Sequence, residues 1–100
     1  MSESNQAPTR ALFAISVAAD LASMQIQNLR VYERRGLLSP ARTPGGSRLY
    51  SEADISRLRR IGELLEEGLN LAGIARVLVL EEELSRLRAS NGRLRAAARD

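Results

Sequence analysis

Amide and guanidinium side chains are concentrated in one short segment of the first half of the chain. Glutamine and asparagine can bind adenine through two hydrogen bonds, and arginine can bind guanine or phosphate in the same way. Gln27 and Arg30 are the leading candidates for reading bases, although solvated surface is an equally good interpretation of any single position. Arg34 and Arg35 either reach phosphate or occupy a helix C-terminus, where cations are favoured. The candidate residues are Gln25, Gln27, Asn28, Arg30, Arg34 and Arg35.

Two short helices joined by a tight turn are predicted to position this segment. The first is expected over residues 16–22, with the Ser16 hydroxyl as its N-cap. A turn at residues 23–24 leads to a second helix over residues 26–35, and Gly36 ends it because glycine readily adopts a left-handed conformation. This arrangement indicates a helix-turn-helix. The predicted inner face of the first helix consists of Val17, Ala18, Leu21 and Ala22.

A small hairpin is predicted directly after these helices. The sequence Pro44-Gly45-Gly46-Ser47 is a strong turn signal, and Arg42 and Arg48 lie on either side of it. A hairpin at this place forms the wing of a winged helix-turn-helix, and its arginines are suited to binding phosphate. Tyr50 follows at the exit of the wing, and we expect it to pack beneath the wing.

The residues after the wing predict two further helices. Ser51 and Asp54 form a capping-box pattern that begins a third helix. Gly68 is expected to end that helix, and Asn70 is expected to cap a fourth. The predicted inner positions of the third helix are Ile55, Leu58, Ile61 and Leu65, and the outward ones are Arg57, Arg59 and Arg60.

The last third of the chain has the spacing of a coiled coil. Its apolar residues alternate in steps of three and four, and the positions predicted for dimerisation are Val77, Leu80, Leu84 and Leu87. Asn91 and Leu94 continue the spacing, but the Asn91-Gly92 pair is expected to break the helix. The expected domains are a disordered tail over residues 1–11, a winged helix-turn-helix over 12–76, a coiled-coil helix over 77–91 and a basic flexible tail over 92–100.

Several of these motifs together resemble the DNA-binding domain of the MerR family. The residues that carry the resemblance are Asn28-Leu29-Arg30-Val31-Tyr32-Glu33, Gly36-Leu37-Leu38, Pro40-Ala41-Arg42, Gly46-Ser47-Arg48-Leu49-Tyr50-Ser51 and Asp54-Ile55. Their order and spacing agree with the family's pattern, and the resemblance covers about residues 14–88. The stretch 70–74 is most similar to the heat-shock-repressor branch.

The resemblance implies a mainly α-helical winged helix-turn-helix followed by a helix that pairs antiparallel with a second copy. It implies that the second helix enters the major groove of pseudo-palindromic promoter DNA while the wing grips the flanking backbone. Arg30, Tyr32 and Arg48 would then contact the DNA backbone, and packing in the core is the alternative for Tyr32. Arg42 would lie near the base of the wing. Three positions depart from the family's usual pattern, namely Gln25, Val31 and Ser47.

Composition narrows the classes of function. The chain has 100 residues, and the absence of Cys and His removes zinc-finger, disulfide and thiol or imidazole nucleophile chemistry. No enzyme activity, metal or cofactor is therefore expected. All 15 basic residues are arginine, and residues 24–60 carry eight of them against three acidic residues, which indicates a polyanionic partner. With no signal peptide and no apolar stretch long enough to cross a membrane, a cytoplasmic location at the nucleoid is expected.

The expected function is that of a sequence-specific, homodimeric, DNA-binding transcriptional regulator that acts as a repressor. Because the chain ends about where an effector domain would begin, inducer sensing is not expected. The similarity to the heat-shock-repressor branch leaves open whether a protein acts as corepressor. Two alternatives remain: an excisionase-like or nucleoid-architectural protein that bends DNA, and a coiled-coil adaptor without specific DNA binding.

Overall fold

The computed structural model describes residues 11–99, so most of the tail expected over residues 1–11 lies outside the described part. Its elements are β1 (Leu12–Phe13), α1 (Ile15–Leu21), α2 (Ile26–Arg34), β2 (Ala41–Arg42), β3 (Arg48–Ser51), α3 (Glu52–Glu66) and α4 (Leu71–Arg99). The chain divides into two compact units, Met1–Glu63 and Leu64–Asp100. The mainly α-helical winged helix-turn-helix expected from the sequence is confirmed.

The three strands form one small sheet in the order β1-β3-β2. β1 pairs antiparallel with β3, and Phe13 lies opposite Tyr50. β2 pairs with the other edge of β3, and Arg42 lies opposite Arg48, as the wing prediction requires. The sequence pattern does not indicate β1, because two residues carry no periodicity. This strand joins the residues before α1 to the hairpin that forms the wing.

α1 begins one residue earlier than predicted and without a side-chain cap. Its N-cap is Ala14, and no side chain binds the first free N–H groups there, so the expectation of Ser16 as N-cap is wrong. The buried face is also shifted, because Ala18, Ala19 and Ala22 are buried. Val17 and Leu21, which were expected inside with Ala18 and Ala22, are exposed instead. Small alanines thus let the neighbouring elements approach α1 closely.

The first three helices end in the same backbone motif. At the end of α2 the Leu37 N–H donates to the Tyr32 carbonyl at 2.9 Å, and Gly36 between them has a φ of +79°. This is the Schellman motif, in which a left-handed residue lets two backbone N–H groups bind the last carbonyls of the helix. Gly68 holds the same place after α3, and Ser23 holds it after α1. The predicted helix ends at Gly36 and Gly68 are therefore confirmed.

α3 begins with the predicted capping box. The Asp54 N–H donates to the Ser51 hydroxyl at 3.0 Å, and the Ser51 N–H donates to the Asp54 carboxylate at 2.9 Å. The inner position at the far end is Leu64, because Leu65, which the spacing selected, is exposed. The other predicted inner residues are buried, namely Ile55, Leu58 and Ile61.

α4 is one continuous helix. Asn70 caps it as predicted, and its side-chain oxygen accepts the Gly73 N–H at 2.8 Å. The helix then continues to Arg99, so the break expected at Asn91-Gly92 is wrong and residues 92–99 are helical. A single glycine costs a helix only about 1 kcal/mol relative to alanine. The surrounding leucines, alanines and arginines favour helix strongly enough to outweigh that cost.

Candidate nucleic-acid interface

α2 has one buried and one polar face. Leu29 and Tyr32 are buried in the first unit, whereas Gln27, Arg30 and Arg34 are exposed. The three exposed residues are spaced by three and four positions, so they lie along one side of the helix, opposite the buried pair. We call Gln27, Arg30 and Arg34 the outer face of α2. It offers one amide and two guanidinium groups to a partner.

The remaining candidates on and around α2 have different environments. Gln25 is the N-cap residue and makes no side-chain capping bond, so its amide is available to a partner. Asn28 and Arg35 are exposed beside the outer face of α2. Tyr32 is only 5% exposed, and burial raises the pKa of its hydroxyl. The ring of Tyr32 therefore packs in the core, which is the alternative that the sequence left open for it, and contact of its hydroxyl with a DNA backbone stays a prediction.

The wing is a tight hairpin held by its own backbone. The Thr43 N–H donates to the Ser47 carbonyl at 2.8 Å, and the Gly46 N–H donates to the Thr43 carbonyl at 2.9 Å. Gly46 has a φ of +93°, a left-handed conformation that glycine adopts at little cost. Arg42 and Arg48 are cross-strand partners, so both side chains leave the hairpin on the same side. The predicted pair is brought together at the base of the wing.

An acidic residue of α2 binds both wing arginines. The Arg42 Nη2 donates to the Glu33 Oε2 at 2.7 Å, and the Arg48 Nε donates to the Glu33 Oε1. We call these three residues the wing arginine cluster. Burial by itself would raise the pKa of the Glu33 carboxyl, but the hydrogen bonds and charges of Arg48 and Arg42 outweigh burial and hold that pKa below its usual value.

Sequence reasoning did not single out Glu33. The available signal was its position as the one acid among the arginines of residues 24–51. Two arginines directly opposite each other on paired strands repel, and a carboxylate that binds both of them offsets this repulsion. Choosing Glu33 for this role nevertheless needs the tertiary arrangement of α2 and the wing.

Two arginines of α3 bind backbone carbonyls of other elements; Arg59 is exposed, as predicted, whereas Arg57 is half-buried. The Arg57 Nε donates to the Leu37 carbonyl at 2.6 Å. The Arg59 Nε and Nη2 both donate to the Leu21 carbonyl, at 3.3 and 3.1 Å. Leu21 is the last residue of α1, and carbonyls at helix ends lack partners within their own helix. These contacts therefore join α3 to the end of α1 and to the residues that follow α2.

Tyr50 packs in the core beneath the wing, as predicted. It is 0% exposed, and its hydroxyl has no hydrogen-bond partner among the residues that the structure describes. Burial is the main reason that the pKa of this hydroxyl is raised, and the charge of Glu33 raises it further. Tyr50 is thus a structural residue and not part of the exposed interface.

The predicted dimerisation residues lie on α4, in the second unit. Val77 is half-buried, and Leu80, Leu84 and Leu87 are exposed, as is Leu94 one step further on. Ile74 and Leu78 are buried and lie on a different side of the helix. The seam is therefore an apolar stripe that the single chain leaves uncovered.

Residues 11–99 contain no cluster of metal-binding side chains and no membrane-spanning helix. This part of the chain holds no group of three acidic, His or Cys side chains that could bind a metal ion. None of its helices is both long and apolar enough to cross a membrane.

Comparison with known proteins gives consistent matches. Residues 13–80 match the family model described as MerR HTH family regulatory protein. The HspR protein of Streptomyces coelicolor, named as a heat shock protein, is 47% identical over 87 residues, which are 86% of this chain and 58% of the relative. The chain therefore spans little more than half the length of that relative.

Two solved structures share the fold. A MerR-family transcriptional regulator from Bacillus cereus has a TM-score of 0.66 and 27% identity, over 86% of this chain and 69% of that one. HiNmlR, described as a MerR-family regulator lacking the sensor domain and bound to promoter DNA, has a TM-score of 0.64 and 23% identity, over 86% and 72%. Since the family model matches more than half of the sequence, the chain belongs to the MerR HTH family of regulatory proteins.

Proposed function

We propose that this protein is a transcriptional repressor that binds pseudo-palindromic promoter DNA as a homodimer. The outer face of α2 enters the major groove, with Gln27 and Arg30 reading bases. Arg42 and Arg48 of the wing bind the phosphates that flank that groove. The observation that carries the proposal is that α2 presents its polar face and, through Glu33, also holds the wing arginines.

The chemistry of the two surfaces supports different tasks. Amide and guanidinium groups on α2 match the donor and acceptor pattern of bases in the major groove. Arginines on a hairpin supply charged bonds to phosphate, which position a protein without reading sequence. Gln25, Asn28, Arg34 and Arg35 are exposed around the same helix and add further contacts. HiNmlR, which has the same fold, is described as bound to promoter DNA.

Dimerisation rests on the seam of α4. An uncovered stripe of Leu80, Leu84 and Leu87 with Val77 at its start is favourable to bury against a second copy. The acidic run Glu81–Glu83 precedes Arg86 and Arg88 on the same helix. An antiparallel pair brings the acidic part of one helix beside the basic part of the other, and we propose that orientation.

The dimer is tested by a pair of arginine substitutions. Leu84→Arg puts a charge on the seam, whereas Val79→Arg puts the same charge on an exposed apolar residue off the seam. Sedimentation of the first variant should give a monomer at micromolar concentration, and the second should sediment as the wild type does. A dimer that survives Leu84→Arg contradicts the seam.

DNA binding is tested by selecting bound fragments from a random pool. The expected result is enrichment of an inverted repeat whose half-sites lie on the same face of the duplex. Binding without enrichment favours the architectural alternative, and no binding to any duplex in dilute salt favours the adaptor.

Two alanine variants then assign the contacts. Arg48→Ala should lower the slope of log affinity against log salt by about one, because one phosphate contact is lost. Arg76→Ala removes the same charge from the exposed surface of α4 and should leave the slope unchanged. Gln27→Ala should instead change base preference at one position by about 1–3 kcal/mol. An unchanged slope in Arg48→Ala contradicts the assignment of the wing.

A further inference from the structure

The wing arginines are held by a carboxylate of the chain itself. Each oxygen of Glu33 accepts from a different arginine, so the carboxylate bridges the two strands of the hairpin. Arg42 also donates through Nη1 to the Gly46 carbonyl at 3.1 Å, which joins the tip of the wing to the same cluster. The side chain of Glu33 is 18% exposed, whereas those of Arg42 and Arg48 are 48% and 29% exposed. The arginines thus remain accessible while Glu33 lies behind them.

A carboxylate and a phosphate present the same kind of acceptor to a guanidinium group. Glu33 therefore binds the two guanidinium groups through the same kind of contact that a DNA phosphate would make. A guanidinium carries five N–H donors, and the bonds described for Arg42 use only some of them. Phosphate can be bound by the remaining donors, but each phosphate that approaches is repelled by the negative charge of Glu33.

These contacts have opposite effects on the two kinds of DNA complex. When α2 is seated on its preferred bases, arginines held at a set position relative to α2 meet phosphates without further loss of side-chain freedom. On random DNA, contacts with the bases contribute little to the free energy of binding, and binding depends on the charge of the phosphates alone. The charge of Glu33 weakens that second mode most.

Building on the proposed function, we propose that Glu33 is a positioning residue that sets specificity by holding Arg42 and Arg48 against α2 and opposing their non-specific binding to phosphate. It touches neither bases nor phosphate in this role. Its contribution is therefore seen in the ratio of the affinity for the preferred site to the affinity for random DNA, and not in the affinity for the preferred site alone.

The test uses a matched pair of carboxylate substitutions. Glu33→Gln keeps the size of the side chain and removes its charge. Glu63→Gln makes the same change of net charge at a carboxylate that is 63% exposed and is bound by Arg60 at 2.9 Å. Affinities of the full chain for its selected duplex and for a random duplex are measured by fluorescence anisotropy over a range of salt concentrations.

Glu33→Gln should bind the random duplex about threefold more tightly, with a salt slope steeper by about one, because a partly exposed ion pair is lost and a phosphate contact is gained. It should bind the selected duplex about threefold less tightly, since the arginines must now be ordered on binding. The preference for the selected duplex then falls about tenfold. Glu63→Gln should keep the wild-type preference.

The possible results separate this inference from the proposed function. If wild type prefers no duplex over another, both fail. If wild type has a preference and Glu33→Gln keeps it, only the role of Glu33 is overturned. If Glu33→Gln binds both duplexes more weakly, the residue merely stabilises the wing and the inference is also overturned. The Arg48 Nε–H resonance tests the contact without DNA, because it should be slow to exchange in wild type and fast in Glu33→Gln.

Discussion

Ser23 should be a poorer residue than glycine at the end of α1. Its φ is +57°, and it holds the position in its Schellman motif that Gly36 holds after α2. A residue with a side chain pays roughly 1–2 kcal/mol in the left-handed conformation. Glycine avoids that cost but loses about 0.4–1 kcal/mol through the greater freedom of the unfolded chain. Ser23→Gly should therefore raise the free energy of unfolding by about 0.5–1 kcal/mol.

The reverse change at Gly36 supplies the control. A Cβ built on Gly36 meets no atom within 4 Å, so Gly36→Ala adds no steric clash and measures the backbone conformation alone. It should lower the free energy of unfolding by about 0.5–1 kcal/mol. The two variants thus differ in sign at equivalent positions of two neighbouring helices.

Thermal unfolding followed by circular dichroism measures both effects. For a domain of this size, Ser23→Gly should raise Tm by about 3–6 °C and Gly36→Ala should lower it by a similar amount. Protein concentration is kept constant, because the Tm of the proposed dimer would depend on it. An unchanged or lower Tm for Ser23→Gly would refute the argument that the left-handed backbone limits stability at this turn.

Three further predictions concern stability. Tyr50→Phe should raise the free energy of unfolding by about 1 kcal/mol, since it removes a buried hydroxyl that has no partner among the described residues. A lower free energy of unfolding, measured in urea, would contradict this. Ser51→Ala should lower the free energy of unfolding by about 1 kcal/mol through loss of the capping bond to Asp54. Ser85→Ala on the exposed surface of α4 is the control, and it should raise the free energy of unfolding slightly, by about 0.5 kcal/mol, because alanine favours a helix more than serine does. Because the pKa of Glu33 is lowered in the folded protein, its stabilisation is present above the unfolded pKa near 4.5 and is lost as pH falls through the folded value. Wild type should therefore lose more stability than Glu33→Gln during acid titration, and parallel curves would show that the carboxylate contributes nothing.

Local signals in the sequence were sufficient for much of the fold. Gly36, Gly68 and the Ser51–Asp54 capping box specify helix ends through bonds within a few residues, so the pattern of residues contains the whole interaction. The wing was also predictable, because the turn sequence and its flanking arginines are contiguous. Pairing with β1 was not, since that strand is two residues long and depends on a partner far along the chain.

The site was predicted less completely than the fold. Residue types placed Gln27 and Arg30 correctly on an exposed helix face, because polar residues opposite an apolar pair require no tertiary information. The burial of Tyr32 and the contacts of Glu33 depend on how α2 meets the wing. The buried positions of α3 follow steps of three residues as far as Leu64, whereas the apolar pattern, with a final step of four, selected the exposed Leu65.

The exclusive use of arginine in this chain has a structural consequence. Arg59 reaches the final carbonyl of α1 with two nitrogens at once, and Arg57 reaches the carbonyl of Leu37 with its Nε. Lysine has no counterpart to Nε and no planar fork. A version of the chain with lysine at every basic position would keep the formal charge of +3. Its single ammonium groups could not reproduce the two-nitrogen bond to Leu21 or the Nε bond to Leu37, so α3 would lose these contacts with the end of α1 and with the residues that follow α2.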